Sequence, residues 1–569
     1  MAFDPWAELR DRAESVRQIV ERTLAVPSGP PVQEAPEEHG LFALAMFPYA
    51  KTLRRKPSEV ARQASGVAVP SPFGRLHADG AYVNFEPNPA AFAEFVFESV
   101  QEQGTGYGRL PPRNERILLE HTSANPTGPL HVGRGRNPIL GDAIGRLLRF
   151  AGYPVQREYL VNDIGRQMVL LYWGVKHLAP DVNESAEDRV EYRYVTLYQR
   201  ANESLANDPG IEKEIRALSR RFESGDVALT KAIREVGDRV LDRIVASLHR
   251  LGVDFDSFFW ESDLILDGRV RQVIDRLMPL SLEEDGAHYV DLSAFGLQGD
   301  SAKYFFVTRD GTSLYTTRDI AYHLDKRARC DTAVNLLGED QKLSFQRLKA
   351  TLKLMGVNWE PETIFYAFVN LPEGRMSTRR GVVVYLDELM DEAVDRALDE
   401  VTRRRPDLPD RRRREIAEIT GLGALRYNIV RVQAEKAITF RWEEALNFEG
   451  NSAPFLQYAH ARACGILEKA GGRETGDPKK LLHLQEQRLL RGIAKFPSTI
   501  RESAESRRPH VLATFIADFA AQFNQFYRDC PVLTAEPALR AARLRLVDGA
   551  RVVLRNALDC LGVVAPSEM

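Results

Sequence analysis

The sequence predicts an α/β protein of Rossmann type, with a small α+β domain ahead of that core and an all-helical domain behind it. Three observations predict this. An apolar run at 117–119, a Gly/Pro-rich turn and a helix-periodic stretch closed by Gly152 lead into a second strand-like run at 155–160, which makes a βαβ unit. Ahead of it, short strand and helix signals alternate. From Leu386 onward nearly every segment carries a helical period.

Composition narrows the function classes. A chain of 569 residues has room for three or four domains, and 44% hydrophobic with 28% charged residues excludes a disorder-dominated protein. The formal net charge of −3 argues against a uniformly basic nucleic-acid binder and leaves only local basic patches, around Arg54, at 374–381 and at 403–415. Each patch reads equally as a solvated helix face. Cys330, Cys464, Cys530 and Cys560 form no C-x-x-C pair, so neither a disulfide framework nor a metal site is indicated. The first turns are acidic, and no stretch reaches the roughly 18 consecutive apolar residues of a membrane span, so a cytoplasmic protein with no membrane contact is expected.

Taken in order, Trp6, Leu9, Val16, Ile19 and Val20 stripe a first helix, and residues 27–40 break its period. Strands at 41–47 and 81–85 and helices at 58–64, capped by Ser58, and 90–103 complete a small module ending near Pro112. Between the βαβ unit and the rest of the sheet, residues from 165 to about 252 are helical and highly charged and read as an insertion in the crossover. The sheet is expected to resume with Tyr315 onward, then at 334–337 and 364–369, around a helix at 345–355 stopped by Gly356. Helices follow at 422–432, 454–470, 481–496 and 511–527, and no internal repeat is visible. The expected domains are 1–113, 114–400 with the insertion, and 401–569.

Chemistry concentrates where the first strand turns into its helix. The positive helix end faces the space beyond the strand's carboxyl end, which suits phosphate. Gly133 and Gly135 permit close backbone approach there, and His131, Arg134 and Arg136 add donors. The run ANPTGPLHVGRGRN resembles the HIGH signature region of class I aminoacyl-tRNA synthetases, in the form carried by arginyl-tRNA synthetases. His131 and Gly133 match the signature, and Arg134 replaces its last His. GRMSTRRG resembles the second class I signature, KMSK, with Arg375 and Arg379 at the lysine positions around Met376 and Ser377. Arginine supplies the same charge on a more rigid fork.

The resemblance implies an α/β catalytic domain that binds ATP through Thr127, His131, Gly133, Arg134, Arg375, Met376 and Ser377. His131, Gly133, Arg134, Met376, Ser377 and Arg379 would act on the reaction, with Mg2+ carried by the ATP. Attack of a carboxylate on the α-phosphorus needs positioning and charge neutralisation, and no covalent nucleophile. A guanidinium suits bidentate pairing with acids. Asp319, four residues after Tyr315, and Glu261 are such acids, and the resemblance implies that they hold the side chain of L-arginine. It places Glu120, Asn125 and Gln341 at the amino and carboxylate end, and Asn162 and Asp163 also match.

For tRNA(Arg), the resemblance implies an outer-corner contact through the N-terminal domain, with Asn84 as candidate. It also implies a DALR-type anticodon-binding domain at the C-terminus, where Phe455, Gln457, Tyr458 and His460 are more polar-aromatic than a core needs. Met569 would reach the anticodon loop. Transfer to the terminal adenosine 2′-OH, a need for tRNA during activation, a monomer and no DNA partner complete the expectation. Two alternatives stay open: a sister synthetase, which for cysteine needs zinc ligands and for glutamate needs cations in place of the acids, and a non-catalytic paralogue that only binds tRNA.

Overall fold

The computed structural model describes residues 4–179, 190–309, 311–371, 374–375, 385–472 and 474–569. The chain forms two compact units, one of residues 113–149 and 153–445, the other of residues 1–112, 150–152 and 446–569.

The first unit is built on a five-stranded, all-parallel sheet. Its order is Glu362–Tyr366, Thr332–Gly338, Ile117–Glu120, Val155–Val161 and Ser257–Trp260. Ile117, Leu118 and Leu119 are fully enclosed, as expected of a parallel strand covered on both faces. From this central strand the chain moves first to one side and later to the other. The topological switch therefore lies between Ile117–Glu120 and Thr332–Gly338, and a ligand crevice opens at their carboxyl ends.

The helix after the first strand is Arg136–Phe150, preceded by a single 3-10 turn at Val132–Arg134. The insertion consists of helices Arg166–Leu178, Val190–Asn207, Pro209–Glu223 and Val227–Arg250, packed on a core that includes Met168, Trp173, Ile215, Phe222 and Ile233. The segment from Tyr315, expected to resume the sheet, is instead the helix Tyr315–Arg329. Its β-branched Thr316 and Thr317 look strand-like, yet their hydroxyls cap back onto the Phe305 and Phe306 carbonyls while Ile320 and Ala321 bury at helical spacing. The strand precedes it, at Lys303–Val307, in a separate three-stranded antiparallel sheet with Leu282–Glu284 and Ala287–Asp291. Helices Leu386–Arg404 and Asp410–Val430 also belong to this unit, which runs past residue 400 to Ala445.

The second unit contains a four-stranded antiparallel sheet, ordered Gln33–Glu34, Phe42–Ala45, Tyr82–Pro87, Phe73–Asp79. The strand expected at 41–47 stops at Ala45, because Pro48 opens the helix Phe47–Leu53. Likewise Pro57 takes the first position of Pro57–Ala64, so Ser58 lies inside that helix and does not cap it. Gly152 ends the βαβ helix with φ +87°, and a Cβ there would meet the Pro111 carbonyl oxygen at 2.1 Å. Helices Pro5–Leu24 and Pro89–Gln103 belong to this unit too, together with the long helices Ala453–Lys469, Leu484–Glu505, Pro509–Asp529 and Pro537–Cys560. Among the described residues no helix is long and apolar enough to cross a membrane.

Candidate active site

A cavity of about 550 Å³ opens at the carboxyl ends of the two central strands. His131, Gly133 and Arg134 line it from the 3-10 turn, and Asn137, Gly338 and Tyr366 line it from the elements around them. Asn137 organises this end of the sheet. Its carboxamide accepts from the Thr122 N–H at 2.7 Å and donates to the Leu336 carbonyl at 3.0 Å, tying the loop after one strand to its neighbour. Burial, and then the charge of Arg134, lower the pKa of His131, so its ring is neutral near pH 7. The buried Nδ1 of that ring has no hydrogen-bond partner among the described residues. A Cβ on Gly133 would come within 2.9 Å of the same ring. Phosphate chemistry fits such a wall: a basic side chain, an unspent imidazole nitrogen and closely approachable backbone.

Arg136 is not part of that wall. It is fully enclosed at the start of the helix, where its guanidinium donates to the carbonyls of Ala367, Lys436 and Gln433. A buried guanidinium is costly unless its donors are spent, and these carbonyls take those of its two terminal nitrogens, while Nε has no hydrogen-bond partner among the described residues. Thr127 lines neither this cavity nor its neighbour, and its N–H bonds the Asn125 carbonyl at 2.8 Å. Asn125 lines the larger cavity, with its amide on Gln167 at 3.0 Å.

A smaller cavity of about 240 Å³ adjoins the first and shares Glu120, Ser123, Asn162, Leu337 and Gln341 with it. Helix Tyr315–Arg329 supplies one wall through Tyr315, Asp319, Tyr322 and His323, and Glu261 stands at the end of strand Ser257–Trp260. Most acids here own a cation. Lys326 pairs with Glu120, and Ser123 donates to the same carboxylate at 3.0 Å. Arg329 forks onto Glu158 at 2.7 and 2.8 Å, joined by the Tyr322 hydroxyl at 2.8 Å. Arg318 Nε donates to Glu261 at 2.8 Å, and the Asn162 amide, turned to face acceptors, donates to the other Glu261 oxygen at 2.9 Å.

Glu261 and Asp319, the two acids expected to hold a guanidinium, both line this smaller cavity, in different surroundings. Burial raises the Glu261 carboxyl and Arg318 opposes it, which is the usual requirement of a carboxylate taken out of water. Asp319 keeps a side-chain exposure of 32% and has no Lys or Arg partner within 4.0 Å among the described residues; only His323 Nδ1 approaches it, at 3.1 Å. Asp163 serves the scaffold, bonded to the Ser262 N–H at 2.9 Å and to Arg234 at 3.3 Å. Lys326, His323 and Arg318 are the site residues that sequence reasoning missed. Lys326 and His323 carried a signal, since residues 319, 323 and 326 share one helix face. Arg375 lies on a strand whose backbone pairs with Asn370, and Met376, Ser377 and Arg379 lie outside the described residues.

Comparison with known proteins decides the family. Residues 98–442 match the family described as tRNA synthetases class I (R), catalytic domain, and residues 456–569 match the DALR anticodon binding domain. The arginine–tRNA ligase of Methanocella arvoryzae is 46% identical over 533 residues, covering 92% of each chain. That of Methanothermobacter thermautotrophicus is 42% identical over 98% of this chain and 99% of its own. The solved arginyl-tRNA synthetase of Thermus thermophilus superposes with a TM-score of 0.82 at 29% identity, covering 99% of this chain and all of that one. The chain belongs to the class I arginyl-tRNA synthetases.

The DALR domain of this arginyl-tRNA synthetase family member sorts its candidate residues by exposure. Gln457 and His460 are buried, Gln457 donating to the Val564 carbonyl at 2.9 Å and His460 Nδ1 meeting the Pro566 carbonyl at 2.8 Å, so they hold the chain's last residues. Tyr458 is exposed, and Arg462 lies over its ring at 4.6 Å and over that of Tyr527 at 4.7 Å, leaving a cation between two exposed aromatics. Phe455 is half-buried at the start of the same helix, and Met569 is half-buried at the chain's end. Asn84 is only 3% exposed on an inner strand and cannot touch a large partner directly. Tyr82, two residues earlier, is exposed and packs edge-on against exposed Phe47 with ring centroids 5.8 Å apart.

Proposed function

We propose that the protein is an arginine–tRNA ligase, joining L-arginine to the 3′-terminal adenosine of tRNA(Arg) at the expense of ATP. One observation carries the reading: beside a cavity walled by His131, Gly133 and Arg134 lies a smaller one whose only acid without a fixed cation, among the described residues, is Asp319. A guanidinium fits an acid left open in a pocket where Glu120 and Glu261 are already neutralised.

In the first step an oxygen of the arginine carboxylate attacks the α-phosphorus of ATP and pyrophosphate leaves. The 2′-hydroxyl of the terminal adenosine then attacks the activated carbonyl, AMP leaves, and the hydroxyl proton is released. His131, Arg134 and the backbone at Gly133 stabilise phosphate charge in the larger cavity, and Arg375, Met376, Ser377 and Arg379 of the second signature are the further residues assigned to ATP. Tyr315 and Asp319 hold the guanidinium, with Glu261 behind them through Arg318, while Glu120, Asn125 and Gln341 face the amino-acid end. Magnesium carried by the ATP would add to the neutralisation of its phosphate charge. Tyr458, Arg462 and Tyr527 stack on anticodon-loop bases, and Phe47 and Tyr82 meet the outer corner of the tRNA. The enzyme works as a cytoplasmic monomer and needs bound tRNA for activation.

The test is tRNA charging with purified Asp319→Ala. The specificity constant for arginine is expected to fall about 10²-fold or more, the usual result of deleting one partner of a desolvated charge pair. An unchanged specificity constant overturns the assignment of Asp319.

A further inference from the structure

His323 lies in the wall of the smaller cavity with only 4% of its side chain exposed. It follows Asp319 by four residues on helix Tyr315–Arg329, so the two side chains stand one above the other on one face. Its Nδ1 is 2.9 Å from the Asp319 carbonyl oxygen and 3.1 Å from Asp319 Oδ1. Both are acceptors, so Nδ1 carries a proton. Nε2 is buried and meets no hydrogen-bond partner among the described residues. A protonated Nε2 there would be a buried, unspent donor, whereas the neutral Nδ1–H tautomer leaves only a lone pair. The ring also cannot turn freely. Tyr322 and Phe345 stand edge-on to it, with ring centroids at 5.9 and 5.8 Å and interplanar angles of 70° and 67°.

The choice of a neutral partner has a consequence for charge. Glu120, Glu158 and Glu261 each face a fixed cation, Lys326, Arg329 and Arg318 in turn, and contribute little net charge to the cavity. A fourth lysine or arginine on Asp319 would cancel the one charge left for a cationic substrate. An imidazole N–H orients the carboxylate and leaves its charge in place. Orientation matters because bidentate pairing with a guanidinium requires the two carboxylate oxygens in its plane.

We infer that His323 is a positioning residue that sets the plane of the Asp319 carboxylate for the substrate guanidinium, and so helps determine specificity for arginine. The inference rests on the reading that Asp319 takes the guanidinium. The single Nδ1–H of His323 bonds the Asp319 carbonyl oxygen at 2.9 Å and is shared with Asp319 Oδ1 at 3.1 Å, and in this role the ring touches neither the reacting carboxylate nor a phosphate.

Charging kinetics of the full-length enzyme with tRNA test it, using His323→Ala, His323→Asn and Asp319→Ala. Asparagine keeps an N–H donor near the Nδ1 position. Loss of a hydrogen bond to a charged group predicts that His323→Ala raises KM for arginine about tenfold, with KM for ATP and kcat within about twofold of wild type. His323→Asn should recover most of that loss. An arginine KM within about twofold of wild type in His323→Ala, or an equal rise in KM for ATP, overturns the proposal. Asp319→Ala separates the two readings: if it abolishes arginine saturation while His323→Ala is silent, only the positioning role falls, and if it leaves arginine KM unchanged, the assignment of Asp319 falls first. Should His323→Ala not fold, long-range 1H–15N spectra of the histidine-labelled wild type decide, with the His323 signal assigned by its absence in His323→Asn. A neutral Nδ1–H ring supports the inference, and an Nε2–H ring overturns it.

Discussion

Lys326 has no exposed side-chain surface, and its ammonium is shared between Glu120 and Asn335. Such a cation exists to make one particular carboxylate tolerable beneath the substrate pocket. Its worth is measurable. Lys326→Met keeps the aliphatic stem and leaves Glu120 as an uncompensated buried charge, so stability should fall by about 3–5 kcal/mol in urea unfolding. Wild-type stability in this variant would mean that water, and no protein cation, balances Glu120. The same logic explains why Glu261 could not be assigned from its neighbours in sequence. Its role depends on Arg318, which stands 57 residues away and takes the oxygen that a substrate fork would otherwise use.

Elements in this protein are joined by charge as well as by apolar packing. Asp142, on helix Arg136–Phe150, is fully buried and meets Arg146 at 2.6 Å, Arg157 at 3.0 Å, and Arg426 from helix Asp410–Val430. Burial alone would raise its carboxyl, but Arg426 and Arg146 hold it below the usual range. Arg426 in turn reaches the Leu251 carbonyl at 2.7 Å, so one carboxylate links the βαβ helix, a sheet strand, the end of the insertion and the helix that follows the sheet. Asp142→Asn should destabilise the enzyme by about 3–5 kcal/mol, because three guanidinium groups lose their shared counter-ion. A loss below about 1 kcal/mol in urea unfolding would assign the junction to apolar packing instead. The basic run at 403–415 has a different meaning. Arg404 pairs with Glu400, Arg411 with Glu415 and Arg413 with Asp410, all close in sequence on exposed helix surface, which favours a solvated face over an RNA patch.

The whole molecule is expected to be acid-sensitive, and the sign follows from its buried groups. His121 is fully enclosed, stacked on Phe255 with ring centroids 4.6 Å apart, and burial lowers its pKa from 6.5 to about 3. The unfolded chain takes up a proton near pH 6.5 and the folded chain does not until about pH 3, so stability falls as pH drops through that window. Asp142 and Glu158, held below their usual range in the folded state, add loss in the same direction once pH falls through the carboxylate range. Each proton difference contributes a slope of up to about 1.4 kcal/mol per pH unit. Urea unfolding of wild type and His121→Leu between pH 7 and 4 checks this. The leucine variant should show a slope shallower by up to one proton, and identical slopes would mean that His121 is already protonated in the folded enzyme.

Periodicity and local motif were sufficient to read the βαβ unit, the helical insertion, the helical end of the chain and the two signatures, because each is written in contiguous residues whose spacing repeats. Tyr315–Arg329, expected to resume the sheet, is a helix whose Thr316 and Thr317 have strand-like propensity and whose later residues bury at helical spacing. Tertiary structure alone decided which charged groups are spent and which are available. Lys326 and Glu120 are 206 residues apart, and Arg426 and Asp142 are 284 apart. It likewise turned Gln457 and His460 inward onto the chain's last residues and left Tyr458, Arg462 and Tyr527 at the surface. The physical reason is that a side chain's type is local, whereas its burial and counter-charge are set by whatever the fold brings against it.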